Sequence, residues 1–176
     1  MADGSPRIGF RPLTGADLTM LGQWMERPHW RQWWGEPQAE LALVRDMVEG
    51  RDATRPFVIL LDGEPAGYIQ VWFIGRHQDP QWTEDHPWLA DLPPETVGVD
   101  LSLADETMLS RGIGSAALRA FVGELLAEGH GRIIIDPDPS NGRAVRAYEK
   151  AGFRPIPQLL GRTGDALIMQ YEGPNA

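Results

Sequence analysis

The chain has 176 residues, a net charge of −9 at neutral pH and no cysteine; 42% of its residues are hydrophobic and 23% charged, the balance of a globular chain. That length fits one domain over residues 1–176 with a real core. The acidic balance excludes phosphate-backbone binding, the lack of an apolar run of about 18 residues excludes a membrane span, and the lack of cysteine excludes disulfides, thiol nucleophiles and Cys-based metal sites.

Met1 to Arg11 holds no apolar stretch of the kind a secretory signal needs, so a cytoplasmic protein is expected. Ile8 to Leu13 alternates as an opening strand. Thr14, with Asp17 three residues on, caps a helix whose stripe is Leu18, Leu21 and Met25. A second helix is predicted over 38–48, burying Leu41, Val44 and Val48. Phe57 to Leu61 and Ala66 to Ile74 read as strands joined by the hairpin signal Asp62-Gly63. Residues 75–94 read as a long loop containing Pro and Trp, a length that marks either function or disorder. Val97 to Leu103 reads as a buried strand. A glycine turn at 111–114 then opens the clearest helix, with Leu118, Phe121, Val122, Leu125 and Leu126 on one face and Gly129 at its end. Ile133 to Ile135 is a short buried strand. Ser140 or Asn141 caps a helix to Lys150, ended by Gly152; Phe153 to Leu160 and Ala166 to Tyr171 close the chain as a hairpin. The order β, α, α, β, β, β, α, β, α, β, β predicts an α/β (α+β) domain, a mixed sheet flanked by helices.

Three features carry chemistry. From His77 to Ser110 there is no Lys or Arg, while Asp79, Glu84, Asp85, Asp91, Glu95, Asp100, Asp105 and Glu106 all fall there. This is either a solvated acidic loop or a field that draws cations to a cleft. Arg111-Gly112-Ile113-Gly114-Ser115 lies between a strand and a helix, where backbone N–H groups and the positive helix end can hold an anion; the same glycines would serve a merely tight connection. Asp100 interrupts an apolar strand, and a buried carboxylate needs a partner or a purpose. The four histidines have no ligand spacing, so no metal is expected.

The succession of buried strand, Arg-Gly-Ile-Gly turn, helix, short strand, Pro-Ser-Asn and Arg-Ala-Tyr-Glu-Lys-Ala-Gly-Phe (residues 146–153) resembles the GNAT acetyltransferases. Trp33-Trp34-Gly35, Gly98-Val99-Asp100-Leu101-Ser102-Leu103 and Asp136-Pro137-Asp138-Pro139-Ser140-Asn141 resemble the aminoglycoside 6'-N-acetyltransferases within them. One departure is Leu109, where the family's turn usually opens with Gln or Arg. The resemblance implies the GNAT fold, a single mixed, mostly antiparallel sheet whose splayed strand pair holds acetyl-CoA, and it implies transfer of acetyl to a primary amine. Leu101, Ser102 and Leu103 would pair with the pantetheine arm; Arg111, Gly112, Ile113, Gly114 and Ser115 would hold the pyrophosphate; Asn141 would bond the cofactor, serve as an N-cap, or both. Asp100 would face the acceptor amine as base or ammonium anchor. Tyr148 would protonate the departing thiolate, the alternative being a core tyrosine. Asp136 would be a second carboxylate for substrate amines or a turn residue before Pro137, and Asp138 a third contact or a surface residue. Trp33 and Trp34 would contact substrate rings, one of them buried. The implied partner is a small polycationic amine, with no nucleic acid or membrane, and the chain would act as a monomer or homodimer.

Two other classes compete. An acyltransferase of hydroxylysine in siderophore assembly, or of a protein N-terminus, would share the fold; the siderophore branch usually carries His in the strand where this chain has Val97 to Asp100. A non-catalytic acetyl-CoA sensor would not need both Asp100 and Tyr148.

Overall fold

The computed structural model describes residues 6–174. Strand β1 (Ile8–Pro12) runs into Thr14, whose backbone N–H and Oγ1 both donate to Asp17 Oδ2 at 2.9 and 3.1 Å. Asp17 also takes a two-pronged bond from Arg11, 2.8 Å on each arm. The chain starts there as a single 3-10 turn and becomes helix α1 (Leu18–Met25). Helix α2 (Pro28–Arg31), which no periodicity announced, is one turn set by Pro28 at its first position. Helix α3 (Pro37–Val48) is capped by Glu36, whose carboxylate accepts from the backbone of Gln38 and Ala39.

Strands β2 (Arg55–Leu61) and β3 (Glu64–Phe73) meet at Asp62-Gly63, both with positive φ (52° and 89°), as the expected hairpin turn demands. The expected loop at 75–94 is better ordered than its composition suggests. It contains 3-10 turns at 74–76 and 87–91 and a helix α4 (Pro80–Thr83), and it buries Trp88, Leu89 and Leu92. The side-chain amide of Gln78 donates to the carbonyls of Leu89 and Leu92, closing the segment on itself. Strand β4 (Val97–Leu103) and helix α5 (Ile113–Ala127) follow, then β5 (Ile133–Ile135), α6 (Gly142–Ala151), β6 (Phe153–Pro155) and β7 (Met169–Tyr171). The closing hairpin is shorter than predicted because Pro157 forces a 3-10 turn after β6.

The strands form one seven-stranded mixed sheet in the order β1-β2-β3-β4-β5-β7-β6. Strands β1 and β2, β5 and β7, and β6 and β7 pair antiparallel, whereas β4 and β5 are parallel. Pairing of β4 with β5 runs only through Val97–Ile133 and Gly98–Ile134, although β4 continues to Leu103; this is the expected splay.

By contact the chain divides into two compact units, one comprising residues up to Gln70 with Leu101–Ala120, the other Val71–Asp100 with Phe121 onward. The first has a core of Leu13, Leu21, Trp24, Met25, Trp30, Val44, Val58, Tyr68 and Ala104. The second packs Ile74, Trp88, Leu89, Leu92, Ile134, Leu159 and Ile168.

Candidate functional site

The parallel register sets the acidic centre. With Val97 opposite Ile133 and Gly98 opposite Ile134, the residues in step three places along are Asp100 and Asp136. Their carboxyls share a hydrogen bond, which two carboxylates can make only if one keeps a proton. Asp136 is half-buried by exposed area, but its carboxyl is enclosed. Burial, then the charge of Asp100 and the bond to it, push its pKa well above the ordinary carboxylate range. Two like charges this close cannot both ionise cheaply, so the proton belongs to the pair.

Tyr148 joins them from α6. Asn141 starts that helix, its Oδ1 accepting from Ala144 N at 3.2 Å, and Gly152 ends it in the left-handed region at φ 105°. Burial first, then the negative charges of Asp100 and Asp136, raise the Tyr148 pKa above that of a free phenol. The hydroxyl is therefore held as O–H, a donor at any working pH. Asp100, Asp136 and Tyr148, named separately on the sequence, form one cluster.

Asp138 does not share that environment. It is exposed, its Oδ1 accepts from Ser140 N and Oγ at 2.8 and 2.6 Å, and these bonds hold its pKa low. Its visible work is shaping the turn into α6.

The glycine turn behaves as an anion-binding shape. Ser110 and Gly112 take positive φ (58° and 80°), and α5 makes its first helical bond from Ala116 N to Gly112 O. The amides of Gly112, Ile113 and Gly114 thus have no acceptor inside the helix. A Cβ added at Gly112 or Gly114 would meet nothing within 4 Å, so the bend opens on free space, with Arg111 exposed beside it; Ser115 is buried. At the end of β4, the Leu103 carbonyl accepts from His29 Nε2 at 2.8 Å and Trp30 Nε1 at 3.0 Å, and Arg27 bonds the Ala104 carbonyl. The Leu103 oxygen is thereby already committed, and any ligand paired along the strand must use other backbone groups.

Of the two tryptophans, Trp34 packs with Trp30 (5.1 Å) and Tyr68 (5.6 Å) against the core of the first unit. Trp33 is half-buried, with its Nε1 enclosed and unbonded among the described residues.

Trp72 belongs to none of the sequence motifs, yet it meets β4 closely. Its indole lies against Gly98, where an added Cβ would stand 2.1 Å from Cε2. Gly98 inside a strand was the available signal, because a strand glycine often marks the close approach of a large group. Among the described residues, no group of three or more acidic or histidine side chains could hold a metal ion, and no helix is long and apolar enough to cross a membrane.

The chain matches the family model described as an acetyltransferase (GNAT) domain over residues 14–159. It is 33% identical to an aminoglycoside N(6')-acetyltransferase type 1 of Klebsiella pneumoniae, over 96% of this chain and 85% of that protein. Among solved structures it superposes on AAC(6')-Ib in a complex containing acetyl-CoA with a TM-score of 0.78 and 32% identity, covering 93% of this chain and 92% of that one. A structure of AAC(6')-Ib with coenzyme A and kanamycin gives 0.77 and 32%, covering 93% and 94%.

Proposed function

The chain belongs to the GNAT acetyltransferases, and from that premise we propose that it moves the acetyl group of acetyl-CoA onto a primary amine of an aminoglycoside, the 6'-amine, and so confers resistance. The observation that carries the reading is the Asp100–Asp136 pair beside Tyr148.

The residues of the turn fit acetyl-CoA. The open bend at Gly112 and Gly114, amides with no helical acceptor and the exposed guanidinium of Arg111 suit a diphosphate. When bound, acetyl-CoA supplies an activated acyl group on a thiolate leaving group. The chain's own side chains do the proton work. An acceptor amine arrives as an ammonium, and the anionic Asp100–Asp136 pair gives it a charged hydrogen-bonding seat. Once the ammonium displaces the shared proton to solvent, burial and mutual repulsion make the doubly ionised pair a stronger base than a lone surface aspartate, so Asp100 can take the proton that frees the amine's lone pair. Tyr148 keeps its own proton ready for the sulfur as it departs. The ammonium seated on the carboxylates offsets the negative field that holds that proton, so the phenol becomes a better acid once the acceptor has bound. Asn141 has a side-chain N–H2 left for the cofactor after its Oδ1 caps α6. A cytoplasmic enzyme, where acetyl-CoA is made and used, fits this chemistry.

The test is thiol release from acetyl-CoA across kanamycin-like, gentamicin-like and unrelated amines, with the acetylated position assigned by NMR. Asp100→Asn is expected to lower turnover by about 10² to 10⁴ while leaving acetyl-CoA affinity near that of the parent, and Tyr148→Phe to depress turnover more than binding. Unchanged turnover in Asp100→Asn removes the carboxylate from the mechanism. Preference for a hydroxylated lysine over every aminoglycoside would move the chain to siderophore chemistry.

A further inference from the structure

Side chains two apart in a strand share a face. The direction in which Trp72 fills the missing Cβ of Gly98 is therefore also the direction of Asp100, and the indole stands on the acidic pair's side of β4. His77 packs nearly edge-on to Trp72, with ring centroids 5.4 Å apart at 84°, and against Trp82 at 4.8 Å and 66°. Its Nδ1 lies 2.9 Å from the Phe73 carbonyl, which can only accept, so that nitrogen carries the proton. In the neutral ring Nε2 is then the basic nitrogen, and it has no hydrogen-bond partner among the described residues. His77 is half-buried and Trp82 is 40% exposed, so the three rings run from the sheet face to solvent, where exposed Asp79, Glu84 and Asp85 gather.

We propose that Trp72, His77 and Trp82 form an acceptor-binding wall beside the acidic pair, with His77 Nε2 accepting a hydrogen bond from a hydroxyl or ammonium of the acceptor. The two indoles offer flat apolar surface to a sugar ring, and Nε2 supplies the one directional acceptor between them. An amine carried on a hydroxylated ring satisfies both parts; a simple alkyl amine can offer only the hydrogen bond. The wall rests on the aminoglycoside reading above.

His77→Phe keeps a flat ring between the tryptophans and removes Nε2. It is expected to raise KM for the aminoglycoside about tenfold more than KM for acetyl-CoA, the scale of one hydrogen bond to a polar or charged partner. In the unaltered enzyme, ¹⁵N NMR should show the His77 Nε2 resonance moving on saturation with the same acceptor. A folded His77→Phe enzyme whose amine KM stays within about twofold of the parent overturns the wall. If that variant does not fold, a His77 Nε2 resonance that stays put on saturation overturns it instead. An unaltered enzyme that acetylates no aminoglycoside removes the substrate reading and the wall together, whereas normal turnover with an unmoved His77→Phe KM removes the wall alone.

Discussion

A carboxyl on an open loop titrates near pH 4, but Asp136 is held well above that range by enclosure and by Asp100. The folded chain therefore keeps a proton that the unfolded chain has released, and stability falls as pH rises from about 4 through the folded pKa. Asp136→Asn should abolish this penalty, since an amide can donate to Asp100 without a charge of its own. Thermal melts from acid to mildly alkaline pH should find the variant melting above the parent at about pH 8, with a flatter decline, while acetyl transfer drops. A variant that melts lower at that pH would mean that the ionised pair stabilises the fold. Asp17 shows the opposite sign: the Arg11 bonds bring its pKa down to about 2, so its contribution is present above about pH 4 and lost as acid approaches that value. The same side chain type supports the structure at one end of the chain and strains it at the other.

At the scale of the element, β4 is where structure and chemistry meet. Its burial pattern, tight at Val97–Val99, looser over Asp100–Ser102 and buried again at Leu103, loosens just past the point where β5 stops pairing. Gly98 sits at that point because the Trp72 ring occupies the volume of a side chain. Gly98→Ala must push the indole aside. Overpacking of this kind costs about 1–3 kcal/mol and should lower the denaturation midpoint, with a higher amine KM as the ring leaves its seat. An unchanged midpoint and KM would mean that the ring yields freely. Helix α6 is built for the same site, since its Asn141 cap and Gly152 stop fix the turn on which Tyr148 is carried. The 75–94 segment, read from composition as a loop, is an ordered element because Trp88, Leu89 and Leu92 bury against Ile74 and Ile134 and Gln78 ties the carbonyls of Leu89 and Leu92. Its turn residues were legible; that its apolar residues belonged to the core was not.

For the whole molecule the net charge of −9 matters more than any single pair. Salt bridges such as Arg162–Asp91 (2.8 Å) and Arg27–Asp105 (3.5 Å) neutralise part of the acidic stretch but leave Asp79, Glu84 and Asp85 exposed around Trp82. A polycation should be drawn in by such a field and lose the benefit as salt screens it beyond about 10 Å at 0.1 M. The kcat/KM for the aminoglycoside is expected to fall several-fold between about 50 and 300 mM salt, more than that for an uncharged amine; equal salt slopes would assign the acids to solubility alone.

The sequence alone determined the order of the strands and of the longer helices, the turn at Asp62-Gly63, the glycine bend before α5 and the family, because these are written in local periodicity, in residues with special backbone freedom and in contiguous motifs. It also named Asp100, Asp136 and Tyr148, but as three residues with separate alternatives. Only the tertiary structure decided that they are one cluster with a shared proton, that Asp138 belongs to its own turn, that Trp34 serves the core, and that the Trp72 ring stands on the same face of β4 as Asp100. The reason is physical: burial and long-range charge depend on which distant segments the sheet brings side by side, and the register of two strands is a property of neither strand alone.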